Sequence, residues 1–218
     1  MILDIYIQNL PNITNFFTSC IPSISYFLSL KIYKIFHRNL KDNKYNQIFN
    51  SNKNIASTFL VNSLLVYPIY SFFGFEIEEF RSFQIVLGIL IVDTVEYFYH
   101  RFYHKIPFLY KHLHSAHHNI YLSPDVSFTN NEIEPLVTST SVFLSLLCFL
   151  SFFEYIIVSS LSFIATIADH TNTRKNKFHY IHHHVNKNTN FQQPFFTFWD
   201  HIFGTYNPKS SLKIPFIP

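Results

Sequence analysis

Residues 83–104 read Phe83-Gln-Ile-Val-Leu-Gly-Ile-Leu-Ile-Val-Asp93-Thr-Val-Glu-Tyr97-Phe-Tyr-His100-Arg-Phe-Tyr-His104. The stretch from Phe83 to Val92 is a run fit for a lipid environment. From Asp93 onward the pattern turns amphipathic. Asp93, Tyr97, His100 and His104 recur at spacings of four, three and four, which is one face of an α-helix. One helix therefore enters as a membrane segment and leaves as an imidazole-bearing face. An all-α integral membrane protein is the expected fold class.

Histidine is the next signal along the chain. Nine of its 13 histidines fall into four groups between His100 and His183. They are His100-Arg-Phe-Tyr-His104, His114-Ser-Ala-His117-His118, the single His170, and His179-Tyr-Ile-His182-His183. Spacings of three and four put imidazoles on one side of each helix. Imidazole is the commonest metal ligand at neutral pH. Nine are too many for one tetrahedral zinc, which takes four ligands, and suit two ions of higher coordination number.

Composition agrees with a membrane setting. Charged residues make up 13% of the 218, against roughly a quarter in soluble domains, and aromatic residues reach 19%. A net charge of +3 with no basic stripe gives no reason to expect nucleic acid as a partner. Cys20 and Cys148 form neither a disulfide framework nor a CxxC site. Three glycines leave no Gly-rich phosphate or dinucleotide loop. The N-terminus, with Asp4 and no early basic run, does not resemble a cleavable signal peptide.

Apolar segments occupy about 16–36, 55–75, 83–103 and 136–169. A bilayer crossing takes ~20 residues. The last segment is too long for one crossing, and Glu154 near its middle suggests a hairpin of two short helices, 136–152 and 155–169. Four or five transmembrane or re-entrant helices result. Loop 37–54 carries Arg38, Lys41, Lys44 and Lys53, whereas 76–82 carries Glu76, Glu78 and Glu79 against Arg81. The positive-inside rule puts the first loop in the cytosol. Helix 83–104 then returns its histidines to the cytosolic face, where His170 also falls, beside Arg174, Lys175 and Lys177. The chain divides into N-terminal membrane helices with a basic loop (1–82), a catalytic region (83–206) and a tail (207–218).

Zinc hydrolysis would need a glutamate base beside the ligands, as in HExxH, and no His-Glu pair exists. Transport sites sit near the bilayer midplane on broken helices, whereas these histidines lie at helix ends. An oxygen-handling two-metal site remains, and iron suits an imidazole shell with open positions.

The boxes, with Asp93-x-x-x-Tyr97-x-x-His100-Arg101-x-x-His104, Leu109-Tyr110-Lys111-x-x-His114 and Asn190-Phe191 followed by Phe198-Trp199-Asp200-His201-Ile202-Phe203-Gly204-Thr205-Tyr206, resemble the fatty acid hydroxylase/sterol desaturase superfamily over residues 83–206. That resemblance implies a cytosol-facing helical cap holding the two-metal histidine site, with two iron ions, replaceable by zinc in purified protein, and O2 as co-substrate. It implies a di-iron oxidoreductase that hydroxylates or desaturates an unactivated C–H of a membrane lipid of sterol or fatty-acyl type. As metal ligands it implies His100, His104, His114, His117, His118, His170, His179, His182 and His183. As residues supporting those ligands it implies Asp93, Asn131, Glu134, Asp169, Asn172 and Asp200. Asp93 reads as a carboxylate orienting a ligand imidazole.

His37, His112, His184 and His201 fall outside the ligand pattern. Phe198 and Trp199 read equally well as interfacial anchors. Two departures from the family pattern stand out. The usual His-Pro-x-Glu is Asn131-Glu132-Ile133-Glu134, and the usual Asn-Phe/Tyr-Gly is Asn190-Phe191-Gln192. The family further implies electrons from a separate b-type cytochrome and its reductase, and a multi-pass location in the endoplasmic reticulum with the site facing the cytosol. The alternative reading is a non-catalytic, metal-stabilised membrane protein of the same fold.

Overall fold

The computed structural model describes residues 20–36, 48, 51–57, 69, 81–120, 122–128, 133–134, 137–138, 142, 145–146, 149–170, 178–191 and 195–209. In chain order the α-helices are α1 (Ile21–Phe36), α2 (Ser82–Lys105), α3 (Pro107–Leu109), α4 (Ser115–His118), α5 (Phe152–Asp169), α6 (Phe178–His184) and α7 (Phe198–Ile202). A π-helical turn, Tyr110–His114, joins α3 to α4, and a 3-10 turn spans Pro124–Val126. The expectation of a helical protein is met.

Helix α5 is the common partner, packing along α1 and against α2. With α1 it buries Tyr26, Leu30, Tyr33, Phe163, Ile167 and Ala168. With α2 it buries Val92, Tyr155, Ile156, Val158 and Ala165, closed by Leu146, Leu150 and Phe195. Gly88 permits the second approach. A Cβ there would lie 2.9 Å from both Leu150 Cδ1 and Val158 Cγ2. The opposite face of α1 leaves Ile21, Ile24, Leu28, Ile32 and Ile35 exposed. An exposed apolar stripe of this kind marks a membrane or partner surface.

Two described helices are long and apolar enough to cross a membrane, α2 with mean hydropathy 1.4 and α5 with 1.5. At ~1.5 Å per residue they measure about 36 Å and 27 Å, against a hydrocarbon core of ~30 Å. Helix α1 has only 16 residues. Most of segment 55–75 and of the loops 37–54 and 76–82 lies outside the described residues.

The second helix expected in segment 136–169 begins at Phe152 rather than 155, and much of the expected first helix, 136–152, lies outside the described residues. Glu154 is buried inside the first turn of α5, where it forms a capping box with Ser151. Its carboxylate accepts the amides of Ser151 at 3.0 Å and Arg81 at 2.7 Å. A glutamate three residues past a serine satisfies the otherwise orphaned donors of a helix start. It therefore opens this helix at Phe152, and it ties that start to the start of α2.

The C-terminal region folds back onto the middle of α2. Asp93 accepts the amides of Phe195 at 2.8 Å and Phe196 at 2.5 Å, and Trp199 Nε1 donates to Thr94 Oγ1 at 2.9 Å. Trp199 also stacks on Tyr97 and Phe203. The face predicted on α2 is the inward one: Asp93, Tyr97 and His100 are buried, and His104 is half-buried at its end.

Candidate metal centre

Pro107 has no amide hydrogen to donate and starts α3 after α2 has ended at Lys105. The π-helical turn that follows widens the backbone by one residue. Single π-turns concentrate at functional sites. Here the turn brings His114 back over the end of α2, with its ring 4.8 Å from that of His100 and 4.9 Å from that of His104. Helix α6 supplies the third box from the far side, and His170 stands at the end of α5.

All nine histidines converge, but into two groups. His100, His104, His114, His118 and His182 form one; His117, His170, His179 and His183 form the other. Within each, one nitrogen per residue lies within 4.8 Å of all the others. Both HxxHH boxes are divided between the groups. In each box the residues four apart stay together (His114 with His118, His179 with His183), and the remaining histidine crosses over. Positions i and i+4 point almost the same way on a helix, while i+3 points to the other side of the stripe.

The nitrogens are too crowded to be satisfied by hydrogen bonds. His118 Nε2 lies 3.0 Å from His104 Nε2, 3.1 Å from His114 Nε2 and 3.2 Å from His182 Nε2. His183 Nε2 lies 3.1 Å from His117 Nε2 and 2.9 Å from His179 Nε2. An imidazole nitrogen holds one proton or one lone pair, so it can serve one such neighbour. With metal–nitrogen bonds of ~2.1 Å, neighbouring ligands lie ~3.0 Å apart in an octahedral shell and ~3.4 Å apart in a tetrahedral one. The shortest spacings lie near the octahedral value, and the remaining ligand atoms of each group stay within 4.8 Å of one another.

Tautomers are set by the outer nitrogens. His100 Nδ1 donates to the Phe191 carbonyl at 2.9 Å, His170 Nδ1 to Thr166 at 2.7 Å, and His182 Nδ1 to Thr189 at 2.7 Å. A carbonyl only accepts, so each Nδ1 carries the proton and each Nε2 keeps its lone pair. His114 Nδ1 meets Glu134 Oε1 at 2.6 Å. These are the partners that orient metal-binding imidazoles. His100 Nε2 is buried without a hydrogen-bond partner, as a ligand atom would be. The donor set thus fits a pair of metal ions.

Burial dominates the electrostatics. It pushes His114, His118, His179, His182 and His183 well below the ordinary histidine range, and the neighbouring imidazoles push further the same way. Neutral rings, with lone pairs available, follow. Burial, and then the charge of Glu96, hold Glu134 well above the usual carboxyl range.

Of the supporting residues expected from the sequence, Glu134 contacts a candidate ligand directly. Asp200 acts one step removed. It accepts the Phe191 amide at 2.9 Å and the Thr205 hydroxyl at 2.7 Å, fixing the residue whose carbonyl holds His100. Asp93 binds the amides of Phe195 and Phe196 as described, which places its carboxylate under the C-terminal segment. Asp169 is buried at the end of α5 as an electrostatic neighbour of Tyr33. Asn131, Asn172 and His37 lie outside the described residues. His112, His184 and His201 are exposed and belong to neither group.

The carbonyls of Thr166, Thr189 and Phe191 were not visible as site elements in the sequence. Nor was the role of Asn190, which takes a positive φ of 61°. Its side chain donates to Phe178 O at 3.0 Å and accepts from the Asn207 amide at 2.9 Å. Asparagine tolerates the left-handed region better than most residues, and Asn190 holds α6 to the segment that carries Phe191.

A family model described as fatty acid hydroxylase matches residues 85–205, just over half of the chain. The chain belongs to the fatty acid hydroxylase family. Among curated proteins it is 33% identical to sphinganine C4-monooxygenase 2 of Arabidopsis thaliana over 60% of this chain and 56% of that one. It is 32% identical to the sphingolipid C4-hydroxylase sur2 of Schizosaccharomyces pombe over 60% and 50%. It is 27% identical to a very-long-chain aldehyde decarbonylase of Oryza sativa subsp. indica over 61% and 58%. The chain spans about half the length of the curated relatives it matches. No solved structure matches it. In a fatty acid hydroxylase family member, the two apolar helices are those of a membrane protein.

Proposed function

We propose that this chain is an O2-dependent, two-iron hydroxylase of a long-chain membrane lipid. The division of nine histidines, eight of them buried, into sets of five and four, each closing on one point, carries the reading. Two of the relatives described above are named as C4-hydroxylases of sphinganine or sphingolipid, which favours hydroxylation over desaturation. Iron bound by the two sets would supply the activation of O2 that cleavage of an unactivated C–H requires. Overall, one oxygen atom enters the lipid as C–OH. The other leaves as water, with two electrons and two protons from an external donor. A b-type cytochrome and its reductase is the donor class proposed.

The protein's own residues bind, orient and keep water out. The carbonyls of Phe191, Thr166 and Thr189, with Glu134, hold the rings with their lone pairs inward. Phe191 covers the five-histidine set, its ring 5.4–5.6 Å from those of His100, His104 and His182. We further propose four or five membrane helices, the histidines on the cytosolic side, and residence in the endoplasmic reticulum. The basic 37–54 loop and the acidic 76–82 loop support that orientation.

The test is lipidomics under 18O2 in cells expressing the chain. A lipid carrying one added 18O is expected from wild type and not from a His117→Ala/His118→Ala double variant, which removes one ligand from each set. Matching lipid profiles for the two, with both ions bound to wild type, would favour the metal-stabilised, non-catalytic alternative.

A further inference from the structure

Helix α7 ends in a turn that folds its C-terminal side back over its start. Gly204 takes a left-handed φ of 65°. Its amide donates to the His201 carbonyl at 3.3 Å, and the Thr205 amide donates to the Asp200 carbonyl at 2.7 Å. That pair of bonds is a Schellman ending, which glycine enters without penalty because it has no Cβ. An apolar contact usually joins the two residues that such a turn sets against each other. Here they are Thr205 and Asp200, and the contact is a hydrogen bond from the Thr205 hydroxyl to Asp200 Oδ1 at 2.7 Å. The same carboxylate oxygen accepts the Phe191 amide.

The bond directions then follow in sequence. A hydroxyl has one proton, and Thr205 gives it to Asp200. The Thr205 oxygen is therefore the acceptor for the Tyr97 hydroxyl, 3.1 Å away. Tyr97 in turn accepts from Arg101 Nη1 at 2.7 Å, since a guanidinium only donates. Half-buried Arg101 is held over the rings of Tyr97 and Phe203, 5.7 and 5.0 Å from their centroids. The chain thus runs one way, from Arg101 through Tyr97 and Thr205 to Asp200. Asp200 fixes Phe191, whose carbonyl takes the His100 Nδ1 proton. Tyr97, Asp200, Phe191 and His100 are all buried. Hydrogen bonds linked in series in such surroundings polarise and strengthen one another. Thr205 adds a second hold on the same segment, because its carbonyl accepts the Asn190 amide at 2.8 Å.

Resting on the two-iron reading above, we infer that Thr205 is a positioning residue for His100. It acts through Asp200 and Phe191, in a hydrogen-bond chain that begins at Arg101 and Tyr97. The chain enters the five-histidine set at His100, and none of its links is a histidine of the other set. Replacing Thr205 by valine keeps the branched shape and removes the hydroxyl. Asp200 then has one donor fewer, and the buried Tyr97 proton loses its acceptor, a loss felt more strongly inside a protein than at its surface.

The experiment competes a chelator against the iron-reconstituted full chain and records the Mössbauer spectrum of each ion, with 18O incorporation measured alongside. Thr205→Val and Tyr97→Phe should each weaken one ion by roughly 3–10-fold, less than the ~10–100-fold of a residue that touches a ligand directly. Each should also change that ion's spectrum and leave the second ion as in wild type. Thr205→Ser, which keeps the hydroxyl, should behave like wild type. The double variant should be no worse than the weaker single one, because both break the same chain. Gly88→Leu, which disturbs packing elsewhere, should lower Tm and move neither ion. Wild-type iron binding by Thr205→Val would overturn the inference. So would equal weakening of both ions, additive losses in the double variant, or the same spectral change in Gly88→Leu. Should Thr205→Val not fold, Tyr97→Phe decides alone, and wild-type binding by it overturns the inference. Failure of the two readings is separable. Oxygen incorporation with Thr205 immaterial to iron sinks only this inference. A selective effect on one ion in a chain that incorporates no oxygen sinks only the hydroxylase.

Discussion

The two histidine sets are built from the same residue type but anchored differently. The five-histidine set draws on α2, the π-helical turn, α4 and α6, and three of its rings are held from behind, by Phe191, Glu134 and Thr189. The four-histidine set draws on α4, α5 and α6, and in it the His170 ring is held by the Thr166 carbonyl of its own helix. Five donors nearly complete a six-coordinate shell, whereas four leave more room. In the proposed enzyme, the fuller set is the scaffold and the sparser one has the room to meet oxygen and substrate.

The sharpest way to break that contrast is to remove ligands from one set only. A His179→Ala/His183→Ala variant should fall from two ions per chain to one and lose at least about 100-fold in turnover, as read by metal analysis and product formation. Loss of both ions together would make the sets a single unit. Next in size is Glu134→Gln. It should weaken metal binding in the five-histidine set by ~10–100-fold and leave the other set alone, measured by competition with a chelator. Equal weakening of both sets would deny Glu134 its place behind His114.

Acid probes both sets in the metal-free protein. Unfolded histidines take up protons below pH ~6.5, whereas the buried rings of His114, His118, His179, His182 and His183 resist protonation to lower pH. The unfolded state then binds more protons, so stability falls as pH drops through that window. A fall in Tm on the order of 5–10 °C between pH 7 and pH 5 is expected, and no change would argue against buried neutral imidazoles. Smaller again, Gly88→Leu should cost ~1–3 kcal/mol by overpacking. It should leave metal content unchanged, since Gly88 meets Leu150 and Val158 far from either set.

Much of this was legible in the sequence because periodicity reports directly on helix faces. The alignment of Asp93, Tyr97, His100 and His104 on one face of α2 follows from spacing alone, and the gathering of the nine histidines was expected from hydropathy and loop charge. The division of each HxxHH box was not legible, because it depends on where the π-helical turn and α6 set the phase of one helix against another. The anchoring carbonyls are invisible for a different reason: every residue has one, and only the tertiary fold chooses Phe191, Thr166 and Thr189. Glu154 marks a boundary in the apolar run, but the exact start at Phe152 depends on its partner amides at Ser151 and Arg81, which only the tertiary fold supplies.

Metal stoichiometry with assignment to the two sets tests the central claim most directly. Anaerobically purified, iron-reconstituted full chain should hold two iron ions, each in a nitrogen-rich environment by Mössbauer and X-ray absorption spectroscopy. One ion should be lost selectively when His179 and His183 are replaced, and the other when His100 and His104 are. A chain that binds a single ion, or whose ions respond identically to both pairs of substitutions, would contradict the account.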